Sequence, residues 1–226
     1  MLAIIQARMT SRRLRGKVLK KINHKFVLKR VVENVSKSKY ISKIIVATSI
    51  NISDDKIYKF CKDNRIECFR GDLKNVSMRF KQLLDKTGSK SFVRICADSP
   101  FIDFRIINNC IKSFKTNKYD IVTNVLERTF PKGQSVEIFK SEIFKENIKN
   151  IKNKNFQEHV TTYFYKNKKK FKIKNILSKK NLSFLNFCVD NKSDIEFLRS
   201  VSKKIERSYN SNYRLKNLID CVQDLN

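Results

Sequence analysis

Short runs of β-branched and apolar residues alternate with longer segments of helical period along the first 125 residues of this chain. The runs are LAIIQA (2–7), IIVAT (44–48), ECFR (67–70), FVRIC (92–96) and IVTNV (121–125). Near-continuous apolar runs of this length suit strands buried on both faces of a sheet. The periodicity between them predicts helices over 26–38, 54–64, 75–87 and 103–116. Asp54 and Asp103 stand at helix starts, where a carboxylate can accept the orphan amides of the first turn. Repeated β-α-β-α order restricts the chain to an α/β fold with a mostly parallel sheet and right-handed crossovers.

After residue 130 the order changes. SVEIF (135–139) reads as a strand, and 141–150 and 156–166 as helices. Residues 172–176 and 185–189 read as two further strands, and 193–206 and 212–224 as helices. The Lys- and Asn-rich segment 145–155 predicts a mobile helix end or loop. No Pro/Gly-rich linker and no internal repeat divides the chain, so residues 1–226 are expected to form a single domain.

Hydrophobic residues make up 41% of the 226. A folded chain of this size buries on the order of 70% of the surface it exposes when unfolded, which argues against a disordered basic tail. No apolar stretch approaches the roughly 20 residues that span a bilayer. The opening Met1–Ala7 lacks the basic n-region and long h-region of a signal peptide. Six cysteines without a CxxC pair read as reduced core residues. A cytoplasmic protein without membrane insertion is expected. The net charge is +29, which attracts polyanions. Lysines are scattered through every segment, with one dense cluster at 166–174, and Lys, Asn and Ile are overused together. Coding bias accounts for that pattern better than a dedicated nucleic-acid surface.

The chain holds only four glycines and two prolines. Gly88 reads as an ordinary helix stop. Gly16, Gly71, Pro100 and the Pro131–Gly133 pair fall after strands or in turns between them. Ligands of open α/β sheets bind beyond the carboxyl ends of the strands. The loop after the first strand, Arg8 to Lys17, puts five cations beside Thr10 and Ser11. Hydroxyls, loop amides and cationic heads are what a polyphosphate needs, although GxxxxGK[ST] is absent. Asp98 and Asp190 both follow apolar runs. Two such carboxylates could hold Mg²⁺ with phosphate oxygens, or could cap the helices that follow, as Asp194 could. His24 falls in an exposed turn. Glu158 and His159, beside threonines, suit either a polar substrate or a helix start.

These pieces resemble a known family. The opening IIQARMTSRRLRGKVL is similar to the IIQARMGSTRLPGKVL signature of the spore-coat-polysaccharide type cytidylyltransferases, related to CMP-sialic acid and CMP-Kdo synthetases. The match continues in order through VATS (46–49), CFRGDLKNVSMRF (68–80), VRICADSPFID (93–103), RTFPKGQSVEIF (128–139), EHVTTYF (158–164) and LNFCVDNKSDIEFL (185–198). The resemblance implies a Rossmann-like nucleotide-diphospho-sugar transferase fold with a mostly parallel mixed sheet. It implies a nucleotide-binding part at about 1–125 and an acceptor-binding, dimer-forming part at about 126–180. The implied reaction joins CTP to an acidic, nonulosonic-acid-like sugar and releases pyrophosphate, for surface polysaccharide or glycoconjugate synthesis. Arg8 and Lys17 would hold the triphosphate, with Ala7, Ser11 and Arg13 in the same loop. Ala47, Thr48, Ser49, Arg70, Gly71 and Arg79 would line the nucleoside pocket. Asp98 and Asp190 would bind Mg²⁺, making Arg8, Lys17 and Asp98 the catalytic set. Pro131, Gly133, Glu137, Glu158, His159 and Thr161 would face the acceptor. A homodimer is expected by the same analogy.

The chain departs from the signature at Thr10 for Gly, Arg12 for Thr and Arg15 for Pro. A Cβ at position 10 narrows the conformations open to the loop. Gln134 and Ser135 alter the region that should read the acceptor. The rival readings are another NTP or a phosphate- or phosphonate-bearing acceptor on the same fold, a basic nucleic-acid-binding protein, and an inactive relative.

Overall fold

A computed structural model describes residues 1–149 and 151–223. The chain begins with β1 (Leu2–Gln6), then a small antiparallel hairpin, β2 (Lys21–Ile22) and β3 (Lys25–Phe26). Next come α1 (Val27–Ser36), β4 (Lys43–Ser49), α2 (Asp55–Asp63) and β5 (Cys68–Gly71). They are followed by α3 (Val76–Thr87), β6 (Ser91–Cys96), α4 (Phe104–Phe114) and β7 (Ile121–Thr123). The second half holds β8 (Glu137–Lys140), α5 (Ser141–Ile148), α6 (Lys154–Glu158), α7 (Thr162–Lys166) and β9 (Ile173–Asn175). It closes with α8 (Lys192–Ser208) and α9 (Leu215–Gln223).

One seven-stranded sheet runs in the order β5-β4-β1-β6-β8-β7-β9. Strands β5, β4, β1 and β6 are parallel, β8 is antiparallel to both β6 and β7, and β9 is parallel to β7. The sheet is therefore mixed and mostly parallel, as the β-α-β-α order predicts. Strand alternation sends Ala3, Ile5, Val46 and Val93 to one face, among residues of α1, α2 and α4. It sends Leu2, Ile4, Ile45 and Phe92 to the other, among residues of α3, α5 and α7. That second layer is aromatic. Phe92 lies 5.6 Å from Phe139 and 5.1 Å from Phe144, and Phe139 lies 5.1 Å from Phe164. Each buried Phe contributes roughly 1.5–3 kcal/mol by leaving water. A third cluster joins α8 and α9 to Phe101, Phe187 and Val189.

Three expectations are corrected. Residues 185–189 form no strand. They make one isolated bridge, Asn186 with Lys132, and Val189 N donates to Asp98 O at 2.9 Å. Polar and loop contacts hold this segment beside the sheet, so an apolar run alone misassigns it. The helix over 156–166 is two short helices, α6 and α7, broken at His159. Asp54 precedes α2 but makes no cap bond. Its carboxylate accepts from Met9 N at 2.7 Å, Ser49 N at 3.1 Å and Ser49 Oγ at 2.5 Å. Asp103 does cap α4, accepting from Arg105 N at 2.9 Å. The ends of the expected helices at residues 150 and 224 lie outside the described residues, as do residues 225 and 226 of the expected single domain.

Candidate functional site

The carboxyl end of β1 leads into the cationic loop. Gly16 closes it, donating to Met9 O at 2.9 Å, and adopts φ +67°. A side chain there is disfavoured by that backbone and by Met9, whose Cε lies 3.0 Å from where a Cβ would sit. Asp54 ties the same loop to the end of β4 through Met9 N. A single 3-10 turn, Lys17–Leu19, follows and aims Lys17 back toward β6.

Lys17 Nζ lies 2.5 Å from Asp98 Oδ2 and 2.9 Å from Asp190 Oδ1. Arg13 reaches the same Asp190 oxygen at 3.0 Å, and Arg8 pairs with Glu158 at 2.9 Å. These groups line one cleft of about 420 Å³, together with Ser11, His159, Gln6, Arg12, Cys96 and Asn155. Burial opposes the Lys17 ammonium, but Asp98 and Asp190 outweigh it and its pKa is raised. The Arg8 hydrogen bond holds the Glu158 carboxyl below its ordinary value.

Asp98 and Asp190 come from distant segments yet converge on one cation. Hard carboxylate oxygens sharing one point suit Mg²⁺, which usually takes one or two carboxylates plus phosphate oxygens and water. Among the described residues no cluster of three or more ligating side chains exists. A divalent ion on this pair would therefore complete its shell from substrate and solvent. Neither aspartate caps a helix: Asn191 caps α8, in a capping box with Asp194.

Other residues of the expected site lie away from the cleft wall. Ala7, Ala47, Thr48 and Ser49 are buried at the ends of β1 and β4. Arg70 turns toward α2, donating to Ser49 O at 3.0 Å and Asp55 at 2.6 Å. Arg79 is 1% exposed, and its guanidinium donates to the carbonyls of Asp72, Ala47 and Leu73. Burial lowers its pKa to about 10. Gly71 is buried against it, with the Arg79 Cγ 2.7 Å from a hypothetical Cβ. Pro131 and Gly133 form a buried turn against Phe187. Thr161 is buried just before α7. Glu137 is 3% exposed and holds Arg94 and Tyr165.

Sequence reasoning missed Gln6, Cys96 and Asn155 as cleft residues, while Arg12 was read only as one cation of the first loop. For Gln6 a signal existed: it is the one polar residue of LAIIQ. Asn155 carried none, lost among the asparagines and lysines of 145–155.

The sequence model of the family described as cytidylyltransferase matches residues 2–219. An uncharacterized protein of Methanocaldococcus jannaschii is 34% identical over 172 residues, 76% of this chain and 70% of its own. The spore coat polysaccharide biosynthesis protein SpsF of Bacillus subtilis is 25% identical over 213 residues, 90% of this chain and 86% of its own. A 3-deoxy-manno-octulosonate cytidylyltransferase of Fusobacterium nucleatum is 33% identical over 125 residues, 52% of this chain and 47% of its own. Among solved structures, a cytidylyltransferase from Leptospira borgpetersenii superposes with a TM-score of 0.92 at 26% identity, covering 99% of this chain and 94% of that one.

Proposed function

The chain belongs to the cytidylyltransferase family, and from that premise we propose that it joins CTP to an acidic, nonulosonic-acid-like sugar, releasing pyrophosphate. The product, a CMP-sugar, would feed surface polysaccharide or glycoconjugate synthesis in the cytoplasm, and the enzyme would act as a homodimer. The observation that carries this reading is the convergence of Lys17, Asp98 and Asp190 in a cleft also lined by Arg8, Arg12 and Arg13.

In such a reaction an acceptor oxygen attacks the α-phosphorus in line and pyrophosphate leaves. The protein's work is positioning and charge stabilisation. Arg8 and Lys17 are placed to offset charge on the triphosphate, and Arg13 to steer it. Lys17 has three N–H donors, two of them engaged by the aspartates, so one remains for a phosphate oxygen. Mg²⁺ held by Asp98 and Asp190 would supply Lewis-acid polarisation of phosphate oxygens. Glu158 and His159 present polar groups where an acidic sugar would enter, with Arg8 keeping Glu158 ionised.

The test compares thermal shifts with each of the four NTPs plus MgCl₂, for the natural chain and Asp98→Ala. CTP alone is expected to raise the melting temperature, with the shift largely lost in the variant. Sialic acid and Kdo then serve as acceptors in a pyrophosphate-release assay. Equal responses to all four NTPs, unchanged in Asp98→Ala and erased by moderate salt, would mean generic polyanion binding and sink the proposal.

A further inference from the structure

Strand alternation builds a polar relay on the aromatic face of the sheet. Phe92, Arg94 and Cys96 point to the same side of β6, with Phe92 deepest in the aromatic layer. Gln6 pairs in register with Cys96 on the neighbouring β1, at the cleft floor. Arg94 Nε and Nη2 both donate to Gln6 Oε1, at 3.1 and 3.0 Å. Its Nη1 donates to Glu137 Oε2. The other Glu137 oxygen accepts from the Tyr165 hydroxyl at 2.7 Å, which also lies 3.0 Å from Thr123 Oγ1.

A guanidinium has donors only, so just the oxygen of the Gln6 amide can face it. Two donors fill both lone pairs of that oxygen. The amide is thereby fixed with its NH₂ on the far side. Among the described residues Gln6 Nε2 donates to no protein acceptor, and Gln6 lines the cleft with Lys17 and Asp98. An amide donor locked by a buried ion pair and left without a protein partner is a built contact for a ligand oxygen.

We infer that Gln6 donates from Nε2 to an oxygen of the nucleotide in the cleft, with Arg94 and Glu137 as positioning residues that set the amide. The inference rests on the CTP reading of the cleft, and deepens it. Glu137 acts through Arg94 rather than by touching substrate, which its burial requires.

Gln6→Glu keeps the oxygen that supports Arg94 while removing the amide donor and adding a negative charge to the cleft. Calorimetric titration of CTP with MgCl₂ is expected to show affinity lower by roughly 10- to 100-fold, at a melting temperature no lower than the natural chain's. Glu137→Gln leaves Gln6 intact but removes the ionised partner of Arg94. It is expected to weaken CTP by about three- to ten-fold. If Gln6→Glu binds CTP within two-fold of the natural chain, Gln6 is only a prop for Arg94 and the inference falls. Unchanged affinity in Glu137→Gln would overturn the positioning role. Failure of the natural chain to bind CTP would overturn the functional reading itself, and this inference with it.

Discussion

Two carboxylates from residues 92 positions apart meet on one ammonium, and the chemistry of the cleft follows from that meeting. Asp98 and Asp190 favour the charged form of Lys17 over the burial that opposes it, so its pKa is raised. Its contribution to stability is fully present below the ordinary lysine value of 10.5 and is lost only as pH rises through the folded value. Glu158 has the opposite sign. Its lowered pKa means the Arg8 tie is present above the ordinary value of 4.5 and is lost as pH falls through the folded value. The stability difference between the natural chain and Glu158→Gln is therefore expected to shrink as pH drops from 6 to 3, read by urea denaturation. A difference that grows on acidification would contradict the pairing. The pair is one-third exposed, so the effect is small. The cations of the first loop and both aspartates were legible as residues, because unusual charge beside apolar strands stands out. The roles of Gln6 and Asp54 were not, although Gln6 stood out as the one polar residue of its strand. One looks like a strand end and the other like a cap, and only their partners across the fold reveal what they hold.

At the scale of elements, periodicity found the strands of the parallel half and the helices between them. It failed where hydrogen bonds to a turn distant in sequence replace strand pairing. Residues 185–189 lie along the Pro131–Gly133 turn, with Lys132 N donating to Leu185 O at 3.0 Å and Phe187 N to Lys132 O at 2.8 Å. This seam carries Asp190 to the cleft. Gly133 makes it fit: φ is +92°, and a Cβ would sit 2.7 Å from the Phe187 carbonyl carbon. An L-residue in such a conformation costs roughly 1–2 kcal/mol before any clash. Gly133→Ala is expected to lose at least about 2 kcal/mol, lowering the melting temperature by roughly 4–8 °C. Activity should fall further than stability explains, since Asp190 moves with the seam. A variant as stable as the natural chain would show that the turn relaxes freely.

For the whole molecule, the charge of +29 is a standing cost. Ion pairs such as Lys59–Asp63 and Lys43–Glu67 are exposed and individually worth little. Most lysines therefore repel one another across the surface. Salt shortens the Debye length from about 30 Å at 0.01 M to about 10 Å at 0.1 M. The melting temperature is expected to rise over that range, and a fall would mean that attractive pairs dominate. The same salt should weaken binding of any polyphosphate, because steering by the cationic loop is screened.

By itself the sequence determined the layered α/β plan, the place of the cationic loop and the two candidate aspartates. Those depend on local periodicity and on charge at strand ends, which are written in neighbouring residues. The tertiary structure decided which side chains face the cleft. It turned Arg70 and Arg79 onto backbone carbonyls, buried Glu137 against Arg94, and set the Gln6 amide by a partner 88 positions away. A polar side chain goes to whichever donors and acceptors the fold brings within 3 Å, and that choice is made across the sheet rather than along the chain.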